Sequence, residues 1–260
     1  MIKIRTGEEI ELLRENALLV SKTLAEVGRH ITPGVTTKRL DTIAETFIRD
    51  HGAEPAFLGY EDFPAALCIS LNSTVVHGIP SDVELKEGDI VSIDCGTRYK
   101  GFCGDSAYTF GVGKLSDENE KLLRVTHDSL FLGIEQAVAG NRVGDISFAV
   151  QSYIERYGYS AVREMVGHGI GTKIHERPDV PNFGKRGHGK LLAEGMVLCI
   201  EPMINAGDKA VYLDDDGWAL KTADHKNSAH FELTVVVKRG KPEILSTFNF
   251  INEYNIKYKT

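Results

Sequence analysis

Two distant stretches of the chain repeat one pattern, and that repeat constrains the fold more than any other feature. Residues 85–94 read LKEGDIVSID and residues 192–201 read LAEGMVLCIE. Both fit L-x-E-G-x-[IV]-[VL]-x-I-[DE], and both end in a carboxylate. The correspondence extends upstream. Leu40, Ile43, Ala44, Phe47 and Ile48 form an i, i+3, i+4, i+7, i+8 stripe that stops at Gly52, and Ile146, Ala149, Val150, Tyr153 and Ile154 form the same stripe before Gly158. These are amphipathic helices with glycine stops. LLR recurs at Leu12 and Leu122, each opening another helical pattern, and HGI recurs at His77 and His168. Each half therefore runs helix, helix, HGI segment, then two strands that each carry an acid. Helices followed by antiparallel strands make this an α+β chain. The halves, about 8–110 and 117–240, are expected to face each other across a pseudo-twofold axis. No Pro/Ser-rich linker divides them, so residues 1–260 read as one fused domain.

The acids are the unusual part. Residues 91–113, VSIDCGTRYKGFCGDSAYTFGVG, read as a β-hairpin turning at residues 98–101, with Gly101 suited to positive φ. A hairpin closed there places Asp94 directly opposite Asp105, with Cβ atoms roughly 4.5–5.5 Å apart. Aspartate is depleted in strands, and facing like charges are destabilising. A cation between them offsets both costs. In the second half the matching acids are Glu201 and Glu232, the latter in HFELTVVV at residues 230–237. A twofold axis brings all four carboxylates together, which requires cations. His168, in VGHGIG, adds one imidazole. An oxygen-rich set with one His suits Mn, Fe, Co or Zn in a two-metal site better than a cysteine-based structural zinc. Singly, each of these residues could be an ordinary strand-end or turn residue. The repeat, which locates the acids independently, argues for the joint reading.

Net charge is −7 over 260 residues, with 42% hydrophobic and 26% charged residues, which disfavours a protein built mainly to hold nucleic acid. No apolar run approaches the ~18 residues of a membrane span, and the first residues lack an apolar signal core. Cys68, Cys95, Cys103 and Cys199 form no C-x-x-C pair and read as reduced thiols of a cytoplasmic protein.

From about Thr6 to Ile251 the chain resembles the type I methionine aminopeptidases, in their short bacterial form. The motifs that carry the resemblance are NSTVVHGIP, IVSIDCGTRYKGFCGDSAYTF, VGHGIGTKIHERP, VLCIEPMI and HFELTVVV. The resemblance implies a pita-bread fold of two pseudo-twofold-related α/β halves around an antiparallel sheet. It implies two divalent metal ions held by Asp94, Asp105, His168, Glu201 and Glu232. It further implies removal of the N-terminal methionine from nascent polypeptides whose second residue is small, by metal-activated hydroxide attack on the first peptide bond. Glu201 then doubles as proton carrier, His175 hydrogen-bonds the carbonyl or oxyanion, and His77 contacts the scissile nitrogen or the residue after it. The methionine pocket is expected from Tyr60, Phe63, Cys68, His77, Ile174, His175 and Trp218. Ile174 and Phe63 depart from a common bacterial pattern of an aromatic residue and a tyrosine, and Phe57 stands where a smaller cysteine is often found.

The implied protein is a cytoplasmic monomer with no membrane contact. The basic run at residues 185–190, KRGHGK, could touch ribosomal RNA, although such runs are more often solvated loops. Three other readings compete. A proline-directed peptidase of the same fold usually carries a large extra N-terminal domain. A non-catalytic binding protein on this fold loses metal ligands, whereas all five are present. A metal buffer needs only the carboxylates and leaves His77, His175 and the apolar pocket unexplained.

Overall fold

The computed structural model describes residues 2–253. Residue 1 and residues 254–260, which the expected 1–260 domain includes, lie outside the described residues. Helix α1 (Gly7–Gly28) starts at Thr6, whose hydroxyl accepts from Glu9 N at 3.2 Å while Glu9 Oε2 accepts from Thr6 N at 2.9 Å. This reciprocal pair satisfies two otherwise orphaned amides. Helix α2 (Thr37–Asp50) is capped by Thr36 and buries Leu40, Ala44 and Ile48 of the stripe read from the sequence, with Ile43 and Phe47 half-buried beside them. Gly52, at φ 74°, stops it in the left-handed region that glycine enters without strain. Helices α3 (Asp117–Ile134) and α4 (Val143–Ile154) follow in the second segment. One 3₁₀ turn, Glu155–Tyr157, continues α4 as far as Gly158 at φ 79°. A short α5 (Asn249–Glu253) closes the described chain.

Two antiparallel sheets carry the acids. In the first, strand Ile90–Tyr99 lies between Leu67–Leu71 and Phe102–Gly111. In the second, strand Val197–Ile200 lies between Gly167–Gly169 and Leu233–Val236. Helix α1 lies against the first hairpin so closely that a Cβ on Gly104 would stand 2.6 Å from the Asn16 backbone. Asn16, fully buried at this contact, donates to Tyr99 O at 3.1 Å and Leu12 O at 2.9 Å, which satisfies its amide.

The hairpin register differs from the expected one. Its turn is the two-residue loop Lys100 and Gly101, both at positive φ (50° and 80°), so Tyr99 pairs with Phe102. A primed two-residue turn needs positive φ at both loop positions; a loop at Lys100 and Gly101 puts a glycine in one of them, whereas the expected loop at Tyr99 and Lys100 would put a bulky tyrosine there. Asp94 therefore lies opposite Ala107, and Asp105 opposite Gly96. The two aspartates share a face but are diagonal neighbours, offset by two residues. The 230–237 run is also not one strand: Ser228–His230 and Leu233–Val236 are separate, and the break falls at Phe231 and Glu232.

Hydrogen bonds join the sheets along a seam between Phe102–Gly111 and residues 230–234. Glu232 N donates to Ala107 O at 2.9 Å, Ser106 Oγ to Glu232 O at 2.6 Å, and Thr234 Oγ1 to Asp105 O at 2.8 Å. Thr109 Oγ1 donates to His230 O at 2.7 Å. One buried cluster draws on both segments, including Val20, Leu40, Ile93, Phe110, Leu123, Val150, Leu198 and Val235. Burying each such large apolar side chain contributes about 1.5–3 kcal/mol. The seam thus lies over a continuous apolar support and fixes Asp105 beside Glu232.

Candidate metal centre and adjoining cavity

The structure brings all five expected ligands to this seam. Asp105, His168, Glu201 and Glu232 are 3%, 8%, 9% and 2% exposed, and Asp94 is half-buried. His168 occupies the three-residue strand Gly167–Gly169. A Cβ on Gly167 would lie 2.5 Å from Cys199 O and one on Gly169 would lie 2.6 Å from Arg177 O, so only glycines let the imidazole sit between its neighbouring strands. His168 Nδ1 lies 3.0 Å from Gly169 O, an acceptor only, so Nδ1 carries the proton and donates. That leaves Nε2 as a bare lone pair. It faces Asp105 Oδ2 at 3.6 Å and Glu201 Oε1 at 3.4 Å.

This arrangement concentrates acceptors with too few donors. Among the described residues, Asp94 Oδ1, Asp105 Oδ1, Glu232 Oε1 and His230 Nε2 are buried side-chain atoms without a hydrogen-bond partner. Burial pushes the Asp94 carboxyl up to about 6. Burial, then the charges of neighbouring carboxylates, push Asp105, Glu201 and Glu232 well above the usual carboxylate range. Burial, helped by His175, pushes His168 down to about 3, so its imidazole is neutral. Bare carboxylate oxygens aimed at one another and at an imidazole lone pair fit a cation-binding site. Ligand atoms of Asp105, His168, Cys199 and Glu232 all lie within 4.8 Å of one another. Burial holds the Cys199 thiol protonated, and its Sγ lies 3.6 Å from Thr234 Oγ1, so the available donor set is oxygen and nitrogen. All four cysteines are free thiols, as expected.

A cavity of about 310 Å³ opens from these groups. Phe57, Tyr60, Phe63, Cys68, Val76, Met203 and Trp218 line it, with His77 and His175 between apolar and acidic parts. Phe63 and Trp218 meet edge to face at 5.1 Å, so Trp218 is a wall residue. Ile174 does not line the cavity; at 1% exposure it packs behind, in the cluster of Phe57, Phe63 and Cys68. His77 sits at φ 59°, a rare conformation for a side chain with Cβ and one that collects at functional sites. Burial, with His230 and His175 adding, lowers its imidazole to about 4. His175 Nδ1 is 3.1 Å from Tyr60 Oη, and its ring stands edge-on to His168 at 4.5 Å.

Some residues at the site went unread in the sequence. His230 Nε2 lies 3.5 Å from Glu201 Oε2. Its H-x-E spacing to Glu232 was the available signal. Asn182 Nδ2 donates to Glu201 O at 2.9 Å, and Met203 and Val76 line the cavity; no pattern marked them. The basic run is a surface loop folded onto α4, with Gly144 N donating to His188 O at 3.0 Å and Arg186 over the Phe148 ring.

The profile of metallopeptidase family M24 matches residues 11–239. The chain belongs to metallopeptidase family M24. Within that family it is 53% identical to a methionine aminopeptidase of Clostridium perfringens, over 95% of this chain and 99% of that one. Its structure superposes on a crystal structure of methionine aminopeptidase from Rickettsia prowazekii with a TM-score of 0.94, 42% identity, and coverage of 95% of this chain and 100% of the other. The M24 pita-bread fold expected from the motifs is therefore the fold found. The same fold recurs at 24% identity and TM-score 0.77 in an Xaa-Pro dipeptidase of Bacillus anthracis, of which this chain covers 62%. No helix among the described residues is long and apolar enough to cross a membrane.

Proposed function

We propose that this M24 protein removes the N-terminal methionine from nascent polypeptides whose second residue is small. The observation that carries the reading is an apolar cavity ending on a cluster of buried, unpartnered carboxylate oxygens. The cavity's wall includes Cys68 and Met203 among aromatic rings, adaptable surroundings for an unbranched thioether. Asp94, Asp105, His168, Glu201 and Glu232 would hold two divalent ions, of Co, Mn, Fe or Zn. Such ions supply Lewis-acid charge and acidify a water so that it attacks near neutral pH.

The chain's own groups do the rest. Glu201, whose two oxygens face His168 and His230, takes the attacking water's proton and passes it to the leaving amide nitrogen. His175 Nδ1 lies 3.1 Å from Tyr60 Oη; in this reading the hydroxyl is the donor, so that His175 Nε2–H donates to the carbonyl oxygen as charge develops there. The neutral His77 contacts the scissile nitrogen or the residue after it. The pocket for the methionine side chain is Phe57, Tyr60, Phe63, Cys68 and Trp218, with Ile174 shaping it from behind. Residues 2–253 act in this reading as a single catalytic unit, a monomer in the cytoplasm, with the 185–190 loop available for a transient ribosome contact.

The deciding experiment measures metal content and cleavage of Met-Ala-Ser against Xaa-Pro peptides. Metal-dependent release of methionine is expected. Release of Xaa from Xaa-Pro alone would select the proline-directed alternative, and metal without cleavage a buffer or binding protein.

A further inference from the structure

Arg5 lies on the arm before α1 and does not line the cavity, yet its side chain is 3% exposed. Its backbone N donates to Gly195 O at 2.9 Å, which anchors the arm on the turn before strand Val197–Ile200. From there the guanidinium reaches both ends of the 170–176 loop. Nη2 donates to Ile170 O at 3.4 Å and to the Glu176 carboxylate. Glu176, its side chain only 11% exposed, returns into the loop: Oε1 accepts from Lys173 N at 3.3 Å and from Thr172 Oγ1 at 3.5 Å. Gly171 leaves the space for this; a Cβ there would stand 1.6 Å from Arg5 Nη2. The loop's first turn is tied separately to the first hairpin, where Cys103 N donates to Gly171 O at 2.8 Å.

We infer that Arg5 is a positioning residue for His175, acting through Glu176 and the 170–176 loop. His175 immediately precedes Glu176, and its ring is held between Tyr60 and His168. The loop is short, so what fixes Glu176 fixes the direction of His175. Without Arg5, Glu176 is a buried carboxylate with only weak donors, and such a group turns toward water. That turn carries His175 away from Tyr60. Both bonds leave one nitrogen, Nη2, whose two N–H groups are held in the guanidinium plane so that one reaches the Ile170 carbonyl and the other the Glu176 carboxylate. The inference rests on the proposed role of His175 as a donor in peptide cleavage.

The test is a double-mutant cycle on the metal-loaded protein with Met-Ala-Ser. R5M is expected to lower kcat by on the order of 10²-fold, as a displacement of about 1 Å does, with KM and metal content unchanged. In an H175A background the same change should cost no more than about twofold further, because the effect passes through the missing ring. R5K, which keeps the charge but loses the planar head that aims two N–H groups from Nη2, should fall between R5M and wild type. It runs through the same cycle, so loss of fold in R5M leaves the test intact. The His175 ring NMR signals, assigned by their absence in H175A, should shift in the Arg5 variants. Multiplicative losses, or Arg5 variants with wild-type kcat and unmoved ring signals, overturn the inference. If wild type itself leaves Met-Ala-Ser uncut, the proposed function fails, and the ring signals alone decide whether Arg5 positions His175.

Discussion

His168 Nε2 points at Glu201 Oε1 from 3.4 Å, although the imidazole's only proton is committed to Gly169 O. A lone pair aimed at a carboxylate is unfavourable unless a cation or an extra proton sits between them. The first prediction follows from that competition. Burial raises the folded-state carboxyls of Asp94, Asp105, Glu201 and Glu232 above their unfolded values. Such groups contribute stability in full below the unfolded pKa, and that stability is lost as pH rises through the folded pKa. The lowered His77 and His168 act oppositely: their stability is present above about 6.5 and is lost as pH falls toward about 4 and about 3. Above pH ~6.5 only the carboxyl term remains, by this linkage. Metal-free protein should therefore melt progressively lower from pH ~6.5 to ~8 while metal-loaded protein does not. Thermal scans with chelator and with added Mn or Co at several pH values read this directly. A metal-induced shift in Tm that is zero, or flat with pH, would refute the cation reading.

Asp105→Asn tests one carboxylate. It keeps size and the seam bond from Thr234 to the backbone oxygen, but removes a charge aimed at the other acids. Metal content and turnover should both collapse, with far-UV circular dichroism nearly unchanged. Turnover within about tenfold of wild type would exclude a ligand role.

His175→Ala should lower kcat far more than it raises KM, by about 10²–10³-fold, because a donor aimed at developing charge acts mainly in the transition state. Metal content should hold, since His175 stands beside His168 edge-on and outside the buried acid cluster. Lost metal, or a change confined to KM, would assign His175 another role.

The repeated motif made the four acids legible, because a duplicated pattern reports equivalent positions without any contact information; that their strands fall into two sheets rather than the single expected one was not legible. The α2 stripe and its Gly52 stop were legible for the same local reason. The register of the hairpin was not: Lys100 has to adopt φ 50° for the two-residue turn, and nothing in a lysine announces that. Nor was the break at Phe231 and Glu232, where the chain leaves strand geometry to let Glu232 N reach Ala107 O. Ile174 was expected in the pocket wall from the family resemblance, but it is buried in the cluster of Phe57, Phe63 and Cys68 and packs behind the wall. Arg5 and Asn182 act through long-range bonds, to Ile170 and Glu201, that no local spacing encodes.

The last prediction concerns the residue after methionine. His77 sits at φ 59° with its backbone fixed by Gly78, where a Cβ would stand 2.2 Å from Ile69 O. The wall beside the scissile bond therefore cannot retreat by sliding that segment. A Gly, Ala or Ser side chain fits there in any rotamer. A larger side chain carries heavy atoms beyond Cβ that press on the imidazole, the more so the longer it is, and β-branching leaves one or two rotamers in which to avoid it. Displacing the scissile carbonyl by about 1 Å costs ~10²-fold in rate without any need to weaken binding. In the peptide series Met-Xaa-Ser, kcat/KM should hold for Gly, Ala and Ser, fall at Val, and be lost at Leu and Ile. The loss should appear in kcat, with Met-Ile-Ser acting as a competitive inhibitor of Met-Ala-Ser cleavage. Efficient release of methionine from Met-Ile-Ser would show that the His77 wall yields and that some other contact sets the second-residue preference.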